Sequence, residues 1–69
     1  MSAHTYTVHR SVTGIPVVIC RDASGQEVSR WSQSDVGVLT RVRSHGGMKW
    51  VRPVCPVPEM VTKLLAEAT

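Results

Sequence analysis

Four cations stand close together in the second half of this chain with no acid among them: Arg41, Arg43, Lys49 and Arg52, with His45 between the pairs. Guanidinium and ammonium groups at this density suit carboxylates or phosphates, and Arg can grip either one with two parallel hydrogen bonds. Arg41 and Arg43 are two apart, so on a strand they share a face. The stretch from Val38 to Val54 has the pattern of two β-branched runs folded about His45-Gly46-Gly47, a hairpin signal. With a three-residue loop, Ser44 faces Met48, Val42 faces Trp50 and Val38 faces Val54 on a side that enters a core. Arg43 then faces Lys49, and Arg41 faces Val51, on the other side. Like charges directly across a pair destabilise a sheet, so this hairpin calls for solvent, a nearby acid or an anionic partner. Arg41, Arg43, His45, Lys49 and Arg52 are the candidate partner-binding residues.

The means for catalysis are sparse. The five acids, Asp22, Glu27, Asp35, Glu59 and Glu67, are scattered, and Asp22 and Glu27 flank a turn. His4, His9 and His45 fall in polar or loop settings. No nucleophile elbow, phosphate loop, dinucleotide fingerprint or zinc-protease helix motif occurs. Cys20 and Cys55 are far apart and lack the paired short spacings of a structural zinc site. Cys20 ends an apolar run and reads as a small buried hydrophobe. The sequence therefore predicts a non-enzymatic protein with no metal, cofactor or small-molecule substrate.

The chain's 69 residues, 42% hydrophobic with a net charge of +3 and a pI near 9.4, describe one small domain over residues 1–69 with a lean towards acidic partners. Residues 1–4 are expected to be mobile. The N-terminus is polar rather than signal-like, and no apolar run approaches the roughly 20 residues that span a bilayer. A soluble, cytoplasmic protein without a membrane partner is the expectation.

The elements that must position the cations follow in order. Thr5 to Val12 alternates with period two, putting Tyr6, Val8 and Val12 on one face, and reads as a half-buried strand. Arg10 interrupts the apolar face, so its stem should pack while its head reaches an edge. Pro16 to Cys20 is a short apolar run, a second and more buried strand with Pro16 at its first position. Asp22-Ala-Ser-Gly25 is a turn, and Glu27 to Ser32 a third strand. Residues 35–44 admit a helix capped by Ser34, but Gly37 and the valines favour a strand. Pro53, Pro56 and Pro58 mark a rigid exit. Residues 58–68 form the strongest helix, with Val61, Leu64, Leu65 and Ala68 at i, i+3, i+4, i+7. The fold class is α+β: a small antiparallel meander of four to five strands with one C-terminal helix packed on a face.

In length, basicity and lack of catalytic motifs the chain resembles the tiny regulators that bacteriophages and mobile elements direct at host machinery. That resemblance rests on no motif and assigns no residue a role. It implies a regulator that binds gene-expression machinery, such as an acidic surface of RNA polymerase, and modulates transcription through the basic hairpin. Direct DNA or RNA binding by the same hairpin is the alternative, since a two-stranded ribbon fits a major groove and an exposed Trp31 or Trp50 would stack on bases. Inhibition of a host defence complex is a third. Trp50, opposite Val42, is expected in the core. The first strand has weak protection against pairing with a partner's strand.

Overall fold

The computed structural model describes residues 3–68; the expectation of mobility for Met1 and Ser2 lies outside them. Five strands, β1 (Thr5–Arg10), β2 (Pro16–Arg21), β3 (Glu27–Ser34), β4 (Gly37–Ser44) and β5 (Gly47–Val51), precede one helix, α1 (Glu59–Ala68). The strands lie in sequence order and every neighbouring pair is antiparallel, so the sheet is a simple meander with β1 and β5 at its edges. Residues 37–44 are a strand: Gly37 and the β-branched residues settle the fork against the helix.

The sequence marks all four turns in the same way, as Ser11-x-x-Gly14, Asp22-x-x-Gly25, Ser34-x-x-Gly37 and Ser44-x-x-Gly47. In three of them the first side chain accepts a backbone N–H: Ile15 to Ser11 Oγ at 3.2 Å, Ser24 to Asp22 Oδ1 at 2.9 Å, and Val36 to Ser34 Oγ at 3.3 Å. The final glycine supplies the positive φ that turns the chain. The Ser24 hydroxyl, also bonded to Asp22, and the Gln26 N–H hold the Asp22 carboxyl below its ordinary pKa. The first two hairpins close with three-residue loops, as Ser11 N–H donates to Ile15 and Asp22 N–H to Gln26. The last two close with two residues, because Gly37 and Gly47 are drawn into the ladder opposite Ser34 and Ser44.

One face of the sheet carries α1. Val18 and Trp31 are cross-strand partners on that face, and they pack with Val61 and Leu65 of α1. Tyr6, Val38, Val57 and Leu64 fill in around them. Val18, Val61 and Leu65 are fully buried, each contributing about 1.5–3 kcal/mol by removal from water. The Trp31 indole N–H, which burial would otherwise strand, donates to Ser29 Oγ at 3.0 Å. Cys20 is buried and Cys55 exposed, and neither forms a disulfide.

The proline-containing segment 52–58 returns from the β5 edge and brings Val57 onto this core. Seven extended residues reach at most about 25 Å, enough to cross back over several strands. Pro58's carbonyl accepts the Thr62 N–H at 3.2 Å and starts the helix, and Glu59 in the first turn suits the positive end of its dipole. The last turn has no basic residue of its own. Arg10 supplies the charge from β1: its guanidinium donates to the Ala68 carbonyl and to the Gly14 carbonyl at 2.9 Å. The head thus reaches an edge, as its position in the alternation requires, and meets a helix-end carbonyl otherwise left without an intrahelical partner. The helix lies over β1, β2 and β3. It leaves the opposite face of the sheet uncovered.

Candidate functional site

The two-residue turn at His45-Gly46 corrects the expected hairpin. Ser44 pairs with Gly47 rather than Met48, so Arg43 faces Met48, Val42 faces Lys49, Arg41 faces Trp50 and Thr40 faces Val51. A slip of one residue sends every β5 side chain to the opposite face. Arg43 and Lys49 are therefore not cross-strand partners, and the repulsion expected between them does not arise. Val38 does not face Val54, which is fully exposed beyond the strand. Trp50 leaves the core side: it is 39% exposed on the uncovered face, whereas Trp31 is only 8% exposed under the helix.

The five proposed contact residues consequently divide. Arg41 and Arg43 lie on the uncovered face, Lys49 on the helix side of the sheet, His45 at the turn and Arg52 just past β5. Arg43, His45, Lys49 and Arg52 are exposed, while Arg41 is partly buried. What the structure brings beside Arg41 is a different set of residues, Glu27, Arg30 and Arg21.

Glu27 is their centre. It pairs across the sheet with Arg21, and Val28 is the extra residue of a bulge opposite the Cys20–Arg21 step. The bulge shifts parity by one, so Glu27 and Arg30, three apart, share the uncovered face. Arg30 grips the carboxylate through both oxygens, Nε to Oε2 at 3.1 Å and Nη2 to Oε1 at 2.6 Å. Arg41 Nη2 approaches Oε2 at 3.7 Å. The Arg30 hydrogen bonds, with the charges of Arg30, Arg41 and Arg21, hold the Glu27 carboxyl below its ordinary pKa against a smaller effect of burial. Arg41 Nε is buried and has no hydrogen-bond partner among the described residues. One carboxylate thus holds the guanidiniums of Arg30 and Arg41, while that of Arg21 donates to the Gly25 carbonyl at 3.3 Å, and the local balance stays positive.

Beside this cluster the same face is concave and apolar. Val17, Ser32 and Leu39 are in register across β2, β3 and β4. With Ile15 and Trp50 they wall a hollow of about 310 Å³. Its serine hydroxyls are already committed: Ser32 Oγ donates to the Pro16 carbonyl at 3.2 Å and Ser34 Oγ to the Gly37 carbonyl at 2.9 Å. What remains on offer is apolar surface, from Ile15, Leu39 and Trp50, next to Arg41.

Sequence reasoning found Arg41 and Arg43 but missed Glu27, Arg30 and the exposure of Trp50. Alternation alone sets Glu27 and Arg30 on opposite faces, and nothing in the residue types announces the bulge. The turn at Asp22–Gly25 and the loop at His45-Gly46-Gly47 were visible, but the pairing of Gly47 with Ser44 was not. No protein-family model, curated protein or solved structure matches the chain. No helix among the described residues is long and apolar enough to cross a membrane.

Proposed function

We propose that this protein is a small, cytoplasmic, non-enzymatic binding protein that docks on an acidic, partly apolar protein surface, as a regulator of gene-expression machinery would. The observation that carries the reading is the uncovered sheet face, where exposed Trp50 walls an apolar hollow and stands opposite Arg41, while exposed Met48 stands opposite Arg43. Exposed aromatic and Met side chains with Arg are the composition of interface centres, where Lys and acids are depleted. An apolar side chain of the partner enters the hollow, and carboxylates meet Arg41 and Arg43.

A second reading, single-stranded nucleic acid, is favoured by Trp50 standing on the same face as Arg41 and Arg43, a stacking platform beside phosphate-binding charge. Capture from a bacterial lysate on the wild-type chain, on Trp50→Ala and on Arg43→Glu tests the first reading. Partners retained by the wild type should be lost with both variants, and retention by both removes this face from the account. Titration with single-stranded oligonucleotide at two salt concentrations separates the readings: affinity that falls steeply with salt indicates phosphate contacts, and no binding at low salt eliminates nucleic acid.

A further inference from the structure

The two edges of the sheet are not alike. β5 carries Lys49 and is followed directly by Arg52 and Pro53, devices that discourage strand addition. β1 carries none of these: its six residues, Thr5–Arg10, pair with β2 without a bulge, contain no proline, and include one charged side chain, Arg10, which is drawn to the helix end.

The hydrogen-bond parity of that edge can be read from the turn beside it. Ser11 N–H donates to the Ile15 carbonyl at 3.0 Å, so Ser11 and Ile15 are a bonded pair. Bonded and non-bonded pairs alternate along an antiparallel ladder. His9, Thr7 and Thr5 therefore exchange bonds with Val17, Ile19 and Arg21, while Tyr6, Val8 and Arg10 point their N–H and C=O groups away from β2. Pro16, which has no N–H, stands opposite Arg10 at a non-bonded position, as this parity requires. The edge thus presents alternating donors and acceptors from Tyr6, Val8 and Arg10.

We infer that β1 pairs antiparallel with β1 of a second copy of this chain, about a two-fold axis at Val8, to join two meanders into one continuous sheet. The edge is self-complementary in that register. Val8 meets Val8 of the second copy, Tyr6 meets Arg10, and Thr7 meets His9, so no like charges stand directly opposite. The three outward N–H groups of each chain find the three outward carbonyls of the other. Val8 is 38% exposed in the single chain and becomes covered at the axis. An edge this short buries less than the roughly 1,200 Å² at the low end of a stable interface, so the dimer is reversible and concentration-dependent.

Sedimentation equilibrium and amide hydrogen exchange test this on the full chain. The mass should rise from 7.6 kDa towards twice that value as the wild type reaches millimolar concentration. Over the same range, the amides of Tyr6, Val8 and Arg10 should slow, while those of Thr7 and His9 stay protected throughout. Val8→Pro removes an outward donor but no bond to β2, so it should give a folded monomer by circular dichroism. Val8→Lys keeps the backbone donor and sets two ammonium groups face to face. It should weaken the dimer at low salt without loss of fold. A wild type that stays monomeric throughout overturns the inference. So does a dimer that survives both substitutions, or one in which the Tyr6, Val8 and Arg10 amides exchange as fast as in the monomer.

Discussion

Gly47 decides which side chains share the uncovered face, and replacing it with alanine isolates that role. Its φ of +122° lies where residues with a Cβ are rarely found, yet an added Cβ at Gly47 meets no atom within 4 Å. The cost of Gly47→Ala is therefore conformational rather than steric crowding, about 1–3 kcal/mol for a side chain held in such a region. Unfolding entropy of about 2.1 cal/mol/K per residue gives this chain roughly 0.14 kcal/mol/K, so the melting temperature should fall by about 7–20 °C. Against a total stability of about 3–10 kcal/mol for a domain of this size, that is a large fraction. Gly46→Ala is the matched control. Gly46 has no positive φ and equal space around it, so alanine there should be neutral or raise stability by a few tenths of a kcal/mol. Thermal melts of the three proteins, with the cross-strand nuclear Overhauser contact between Arg41 and Trp50 as reporter of register, provide the measurement. Equal melting of Gly47→Ala and wild type, or equal losses for both alanines, would refute the reasoning.

Glu27→Gln should lower stability by about 0.5–1 kcal/mol at neutral pH, because its pairs with Arg30 and Arg41 are only partly shielded from solvent. The folded-state pKa of Glu27 is depressed, so its contribution is present above the unfolded value near 4.3 and disappears as pH falls through the folded value. Melts of both proteins from neutral to acid pH should converge, and a gap that widens on acidification contradicts the assignment. Leu65→Ala removes a fully buried side chain of the core and should cost about 2–5 kcal/mol, a large share of the total stability. Urea unfolding followed by circular dichroism measures it, and a loss below about 1 kcal/mol would show that α1 does not hold the sheet.

The residue pattern carried the architecture because each strand and the helix had its own signal. The apolar run of β2 and the i, i+3, i+4, i+7 stripe of α1 agree with the elements observed, and the alternation read from Thr5 to Val12 holds as far as Arg10, where β1 ends and leaves Val12 exposed in the turn. The site was only half legible. Arg41 and Arg43 could be placed on one face by parity within β4, but their neighbours depend on events between strands. A bulge at Val28 brought Glu27 to Arg30, and a shorter turn brought Trp50 to Arg41. Neither event changes the residue types, so composition and periodicity pass over both.

The apolar pattern leaves the β5 register open because of where the helix lies. In β2 and β3 a register slip would move Val18 or Trp31 out from under α1 and expose the core, so the apolar pattern fixes the faces. α1 reaches β1, β2 and β3 but not β5. Val42 of β4, which faces Lys49 on the helix side, remains 36% exposed, and Trp50 is 39% exposed on the other, so burial distinguishes the two faces of the β4–β5 ribbon very little. With that term nearly equal, the conformation available to Gly47 sets the register. The binding face is thus fixed by backbone geometry at one turn, while its scaffold is fixed by the core. It follows that substitutions at Gly47 should redistribute the face before they unfold the domain, whereas substitutions at Leu65 should do the reverse.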